Sequence, residues 1–237
     1  MRFKHVIITR FNVNIHQSDY PFRLSATWLM ERLEFFRQFC FPSVSEQRNQ
    51  NFTWLVLFDE KTPDHFKRFI KAFEHYPNFT PMLCGEFSTI MPKVSQYLAQ
   101  ACQGAEYCLT TRLDNDDAIS RDFVEILHEA VQKIIDSRPE GIDELFFNFP
   151  NGLQYSSGTV YDFRDMTNAF ISFLEKTASP QTVYCVDHPA IYGRADVAQI
   201  EAKPLFLQHV HERNVYNYIR GDVSGRPGAL DEFNLKL

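Results

Sequence analysis

Four short, continuously apolar runs dominate the first half of the chain: Val6-Ile7-Ile8-Thr9, Trp54-Leu55-Val56-Leu57-Phe58, Thr80-Pro81-Met82-Leu83-Cys84 and Tyr107-Cys108-Leu109-Thr110. Runs this short suit strands buried on both faces. Between them lie segments of helical period. Leu29, Leu33, Phe36 and Phe39 share one stripe, which Pro42 is expected to end. Phe66, Phe69, Ile70 and Phe73 form a second, and Val94, Tyr97, Leu98 and Ala101 a third, in a helix that Pro92 is expected to open. Strand alternating with helix implies an α/β fold: a mainly parallel central sheet with helices on both faces. The first run should lie near the sheet centre. The Pro81 run should lie at an edge, because proline has no ladder donor.

The fourth run turns abruptly polar at Arg112-Leu113-Asp114-Asn115-Asp116-Asp117. Three clustered carboxylates repel one another, so a positive charge should sit among them. Oxygen ligands at a strand end suit Mg²⁺ or Mn²⁺, which keep part of their shell for water and phosphate. The expectation is a divalent metal site for a diphosphate. The plainer alternative is that Asp117 or Ser120 caps the following helix, although a cap needs one acid and not three.

Ligands of open α/β sheets bind at the carboxyl ends of the strands. Arg10, just past the first run, is placed to meet a phosphate or nucleoside, or is a surface arginine. Asp59, just past the second, is placed to hydrogen-bond a ribose or base, or belongs to the cap of the helix opened by Thr62-Pro63-Asp64. Lys93 would stand in the first turn of the helix at Pro92, where the dipole disfavours a cation. That cost points to an anion, against the ordinary reading of a surface lysine.

Other classes are excluded by composition. A net charge of −6 gives no electrostatic footprint for nucleic acid. No apolar run is long enough to cross a bilayer, and the chain enters its first strand without the apolar core of a signal peptide. Five cysteines without CxxC spacing suggest reduced, buried thiols and a cytoplasmic protein. Lys67, Arg68 and Lys71 form a basic face opposite Phe66 and Ile70, which suits either peripheral membrane contact or plain solvation.

A helical stripe at Phe123, Val124, Ile126, Leu127, Val131, Ile134 and Ile135 follows the acids and stops at Pro139 and Gly141. The rest reads less regularly. A strand at 145–149 is expected to pair in a hairpin with 153–155, followed by a strand at 159–161. A helix is expected at 166–175, then a strand at 183–186 ending in Asp187-His188-Pro189. Residues 204–207 run into His209 and His211, and 221–228 are rich in turn residues.

Together these segments resemble GT-A-fold glycosyltransferases. More narrowly, Thr9-Arg10-Phe11-Asn12-Val13, Pro42-Ser43-Val44, Asn51-Phe52-Thr53-Trp54 with Phe58-Asp59, Thr111-Arg112-Leu113-Asp114-Asn115-Asp116-Asp117-Ala118 and His211-Glu212-Arg213-Asn214-Val215 resemble the rhamnosyltransferase family. The resemblance covers most of the chain. It departs from the family pattern at Glu212, where glycine is expected. It implies one GT-A-like domain over 1–237: a nucleotide-sugar half, 1–120, and an acceptor half, 121–237, with a smaller mixed β region. Asp116 would hold Mn²⁺ or Mg²⁺, with Asp114 near the ribose or a metal-bound water. Arg112 would brace the carboxylates or a phosphate, and Asp117 would position an acceptor hydroxyl or a neighbouring basic group. His211 would be a second metal ligand or a diphosphate donor. The donor would be a nucleoside-diphosphate sugar and the acceptor a glycan or lipid-linked saccharide.

The implied chemistry is displacement at the anomeric carbon, inverting, which needs a base for the acceptor proton. Asp187 is the first choice, with Asp165, Asp162 and His188 as rivals. A sugar-phosphate nucleotidylyltransferase shares such acids, but Arg10-Phe11-Asn12-Val13-Asn14 lacks the glycine-rich phosphate loop expected there. A non-catalytic nucleotide-sugar or carbohydrate-binding protein is the other alternative.

Overall fold

A computed structural model describes residues 2–14, 21–212, 214 and 218–237. Residues 15–20, in the polar loop after the first strand, lie outside the described residues. So do Arg213 and Val215 of the late motif.

Among the described residues, seven strands form the large sheet: β1 (Phe3–Arg10), β2 (Thr53–Asp59), β3 (Phe79–Cys84), β4 (Tyr107–Arg112), β6 (Glu144–Asn148), β9 (Ser172–Lys176) and β10 (Val197–Gln199). Their order is β10-β6-β9-β4-β1-β2-β3. All run parallel except β9, which is antiparallel to both β4 and β6. The expected α/β class and the central place of β1 are observed, and β3 with Pro81 is the edge. A second sheet, order β12-β8-β7-β11-β5, contains β5 (Ala118–Ile119), β7 (Asn151–Ser156), β8 (Thr159–Arg164), β11 (Phe206–His209) and β12 (Asp222–Val223).

The helices are α1 (Ala26–Phe35), α2 (Phe41–Ser45), α3 (Asp64–Lys71), α4 (Phe87–Ala101) and α5 (Phe123–Ser137). Two apolar layers lie on the two faces of the large sheet. Ile7, Trp54, Val56 and Leu109 pack with α1 and α5 residues such as Leu29, Leu33, Leu127 and Val131. Val6, Ile8, Leu55, Leu57 and Cys108 pack with Ile90, Val94 and Leu98 of α4. The alternation of neighbours along β1 and β2 follows from the two-residue period of a strand.

Several boundaries differ from expectation. Pro42 does not end the first helix. Phe36–Cys40 forms a π turn that carries the chain into α2. Proline has no N–H and clashes with the carbonyl four residues back. Here that carbonyl, of Gln38, instead accepts the backbone N–H of Lys236 at 2.9 Å. Pro92 lies inside α4, which begins at Phe87, so Lys93 is not in a first turn. The segment expected as a helix at 166–175 is instead turns over 166–170 followed by β9. Residues 183–186 form a turn and not a strand. Strands β6 and β7 part into different sheets, and β7 pairs with β8 across Ser157 and Gly158, both at positive φ. The 221–228 segment supplies β12, which lies against β8. No helix among the described residues is long and apolar enough to cross a membrane.

Candidate functional site

The acidic loop joins the two sheets. Leaving β4 at Arg112, the chain passes Asp114 to Asp117 and enters β5, which pairs with β11. β11 runs on through His209 to His211. The carboxyl ends of β1 and β4 and the end of β11 therefore converge on one loop. Two bonds to the β1 side fix its path: Leu113 N–H donates to Ile8 O at 3.1 Å, and Asn115 Nδ2 donates to Phe11 O at 2.6 Å.

Each acid has its own environment. Asp114 faces Arg112 (Nη2 at 2.9 Å from Oδ2) and Arg10 (Nη2 at 4.0 Å from Oδ1). Burial alone would raise its carboxyl, but the two guanidinium groups hold it below the ordinary range. Asp116 Oδ2 accepts from Arg32 Nη1 at 2.5 Å, from Asn214 Nδ2 at 3.2 Å, and lies 2.9 Å from His211 Nε2. Burial again works against ionisation, and Arg32 and His211 overcome it, so this carboxyl is also lowered. Asp117 is 1% exposed and its Oδ1 accepts the backbone N–H of His209 at 2.9 Å. Burial, then Asp116 and Asp114, push its carboxyl well above the ordinary range.

The positive charge that the acids call for thus comes from Arg10 of β1, Arg112 of β4 and Arg32 of α1. Repulsion among the acids is not by itself an argument for a metal. Capping is not their role either. The N–H of Val124 in the first turn of α5 goes to Gln47 Oε1 at 3.0 Å, while Asp117 ties β11 to the loop. For a divalent ion the site offers one pair of donors, and the ion would have to take the place of Arg32 on Asp116 Oδ2. Asp116 Oδ2 and His211 Nε2, 2.9 Å apart, have the spacing of adjacent ligands in an octahedron of ~2.1 Å bonds. Asp114 is turned to its arginines and stands outside this pair. No three His, Cys, Asp or Glu side chains among the described residues converge as a metal cluster. Water and phosphate would complete the shell, as is usual for Mg²⁺.

His209 is distinct from His211. It stacks on Phe39 at 4.1 Å, and burial lowers its pKa to about 4. His211 packs against Phe35, its ring tilted at a centroid distance of 4.5 Å, and is the histidine that reaches Asp116.

Other candidates are spread around the strand ends. Asp59, at the end of β2, is buried. Its carboxylate accepts from Arg23 Nη2 at 2.7 Å and from the Lys61 N–H at 2.7 Å. Lys93 Nζ donates to Leu83 O at 2.6 Å, at the end of β3. Asp187 is exposed and precedes the 3-10 turn His188–Gly193. His188 Nδ1 lies 2.5 Å from Thr167 O. A carbonyl only accepts, so Nδ1 carries the proton and Nε2 is left with a lone pair. Burial lowers the His188 pKa, which keeps the ring neutral. Asp165 and Asp162 are paired with Arg220 and Arg226, at 3.2 and 3.1 Å.

Two residues at the site were missed from the sequence, Arg32 and Tyr184. Arg32 carries a visible signal, since it falls three residues after Leu29 on the apolar stripe of α1, where a charge needs a buried partner. Tyr184 carries none, because the segment reads as an ordinary strand.

A family profile described as "Putative rhamnosyl transferase" matches residues 1–222. Comparison with curated protein sequences gives no match. Among solved structures, the chain is similar to S. aureus TarS 1-349, with 13% identity and a TM-score of 0.47, over 88% of this chain and 60% of that one. The same TarS fragment in complex with UDP gives 14% identity and 0.47, over 89% and 61%. A protein titled a putative nucleotide-diphospho-sugar transferase, from Desulfovibrio desulfuricans G20, gives 8% and 0.41, over 88% and 81%. The chain thus spans about three fifths of the TarS chains it matches.

Proposed function

We propose, on the premise that the chain belongs to the rhamnosyl transferase family and is a glycosyltransferase, that it moves a sugar from a nucleoside-diphosphate donor to a hydroxyl of a glycan or lipid-linked saccharide. Rhamnose is the sugar that the family name suggests. The observation that carries the site assignment is the Asp116–His211 pair, 2.9 Å apart where the two sheets meet. These two residues would hold Mn²⁺ or Mg²⁺, with Asp114 beside the ribose or a metal-bound water. Bound there, the ion would supply Lewis-acid neutralisation of the leaving diphosphate.

The chain's own residues do the rest. Arg10 and Arg112 present guanidinium groups at the carboxyl ends of adjacent parallel strands, where a diphosphate is expected. Asp117 keeps the end of β11, and with it His211, against the acidic loop. The acceptor oxygen bonds to the anomeric carbon as the carbon–oxygen bond to the diphosphate breaks, inverting that carbon. The acceptor proton passes to a base, and the nucleoside diphosphate departs. We place the base on the Asp187–His188 turn. His188 Nε2 has the required lone pair, and Asp187 is the exposed carboxylate next to it.

The test is incubation with Mn²⁺ and a panel of nucleoside-diphosphate sugars, rhamnose donors among them, with release of nucleoside diphosphate followed. Turnover should appear with a sugar acceptor. Asp116→Asn should lower it at least about a hundredfold and weaken Mn²⁺ binding, read independently by paramagnetic resonance, without loss of helix signal. Pyrophosphate release from a nucleoside triphosphate, or donor binding without turnover on any acceptor, would overturn the reading.

A further inference from the structure

Arg10 and Arg112 share more than one carboxylate. The Arg10 guanidinium carbon lies 4.4 Å from the centroid of the Tyr184 ring, and that of Arg112 lies 5.7 Å from the same centroid. Asp114 supplies one negative charge between two cations, so the group keeps one surplus positive charge. The Nε atoms of both arginines are buried and have no hydrogen-bond partner among the described residues.

The ring is held in place by more contacts than a packing role requires. The buried Glu175 carboxylate accepts the backbone N–H groups of Gln181 and Thr182 at 2.7 and 2.8 Å. Val183 N–H donates to Thr110 Oγ1 of β4 at 2.8 Å, and Tyr184 N–H to Thr182 Oγ1 at 3.1 Å. Tyr184 Oη donates to Ile8 O of β1 at 3.3 Å. Thr182 itself sits at φ 76°, a conformation that a β-branched residue adopts only when its surroundings force it. A strained, fully anchored turn thus delivers one aromatic face to two arginines at the ends of β1 and β4.

We propose that Tyr184 is a positioning residue. Its ring holds Arg10 and Arg112 as a clamp for the diphosphate of the donor, a contact the protein makes without a metal. The clamp rests on the transferase reading above for the identity of its anion. The aromatic face stabilises both cations and fixes the planes of their guanidinium groups beside Asp114. The partly exposed fork of Arg10 is then open to phosphate oxygens. Arginine is suited to this because it donates in a planar fork.

The probe is inorganic pyrophosphate, titrated calorimetrically into the whole protein in buffer with excess chelator. Wild type should bind. Tyr184→Met, which fills the volume but has no π face, should weaken binding about tenfold or more. Tyr184→Phe, which keeps the ring and loses only the hydroxyl bond to Ile8 O, should stay within about threefold of wild type, so that the loss in the Met variant reads the π face. Tyr184→Leu serves if the Met variant does not fold. The partly exposed Arg10 should give a comparable loss as Arg10→Gln. Equal affinity in the wild type and the Met or Leu variant overturns the clamp, and so does a wild type that binds no pyrophosphate in chelator. If that wild type still turns over a donor with Mn²⁺, the transferase reading survives and only the clamp is lost. Absence of turnover with every donor strikes the reading beneath it.

Discussion

Arg32 and Asp116 form the pair on which the site's charge balance turns. Their side chains are 10% and 8% exposed and sit 2.5 Å apart. Removing one partner of such a pair leaves a buried charge uncompensated, which costs about 3–5 kcal/mol. Arg32→Met should therefore lower stability by that order in chelator. If a divalent ion binds the same carboxylate, Mn²⁺ should recover part of the loss, and wild type should gain less from the ion. A denaturant titration with and without Mn²⁺ reads both. An equal metal effect in the two proteins would mean that the ion does not use Asp116. The acids, Arg10 and Arg112 were legible from their type and place at strand ends, and His211 from the resemblance of the motif around it to the family pattern. Tyr184 and the pairing of Arg32 with Asp116 were not, because they come from segments distant in the chain and meet only in the folded protein.

Strands and helices were legible wherever period or proline chemistry was unambiguous, as in β1 to β4. They were misread where a local signal was overruled by contacts elsewhere. Phe170, Ile171, Phe173 and Leu174 are apolar without a decisive period, and a short run of that kind suits either a strand or a helix. It becomes β9 because β4 and β6 each offer a free antiparallel edge. Pro42 was read as a stop. The π turn before it frees Gln38 O for Lys236 and turns Phe35 and Phe39 toward the two histidines. The β7–β11 contact depends on a glycine. A Cβ at Gly152 would lie 2.3 Å from the Phe206 ring. Gly152→Ala should destabilise by about 1–3 kcal/mol through overpacking. The same change made in a Phe206→Leu background should cost less, a non-additivity expected only of residues in contact. Purely additive melting shifts would show that the close approach of these two residues is not what Gly152 permits.

Across the whole molecule, one chain of hydrogen bonds crosses the large sheet. Asn49 Nδ2 donates to His128 Nδ1 at 3.2 Å, so that nitrogen is an acceptor and the His128 proton sits on Nε2. It is donated to His5 Nδ1 at 3.0 Å, and His5 Nε2–H goes on to Thr111 Oγ1 at 2.8 Å. The Thr111 hydroxyl then meets Ser172 Oγ at 2.6 Å. Every donor has one acceptor only while both rings are neutral. A second proton on either ring would set N–H against N–H inside the core. Burial accordingly lowers both pKa values, that of His128 to about 4 and that of His5 well below the usual value. Unfolded, each histidine would titrate near 6.5. Between about pH 6.5 and 4 the unfolded chain therefore binds protons that the folded chain refuses, and stability falls as the pH falls. Above about 6.5 both forms are neutral and this contribution is fully present. His128 alone should give a slope approaching about 1.4 kcal/mol per pH unit in that window. Urea unfolding at pH 7.5, 6.5, 5.5 and 5 should reveal it, above the range where ordinary carboxylates titrate. His128→Gln should be less stable at neutral pH yet lose about one proton from the slope, so the two proteins converge as the pH falls. Parallel curves would mean that His128 carries its proton in the fold, and the one-way chain from Asn49 to Ser172 would have to be abandoned.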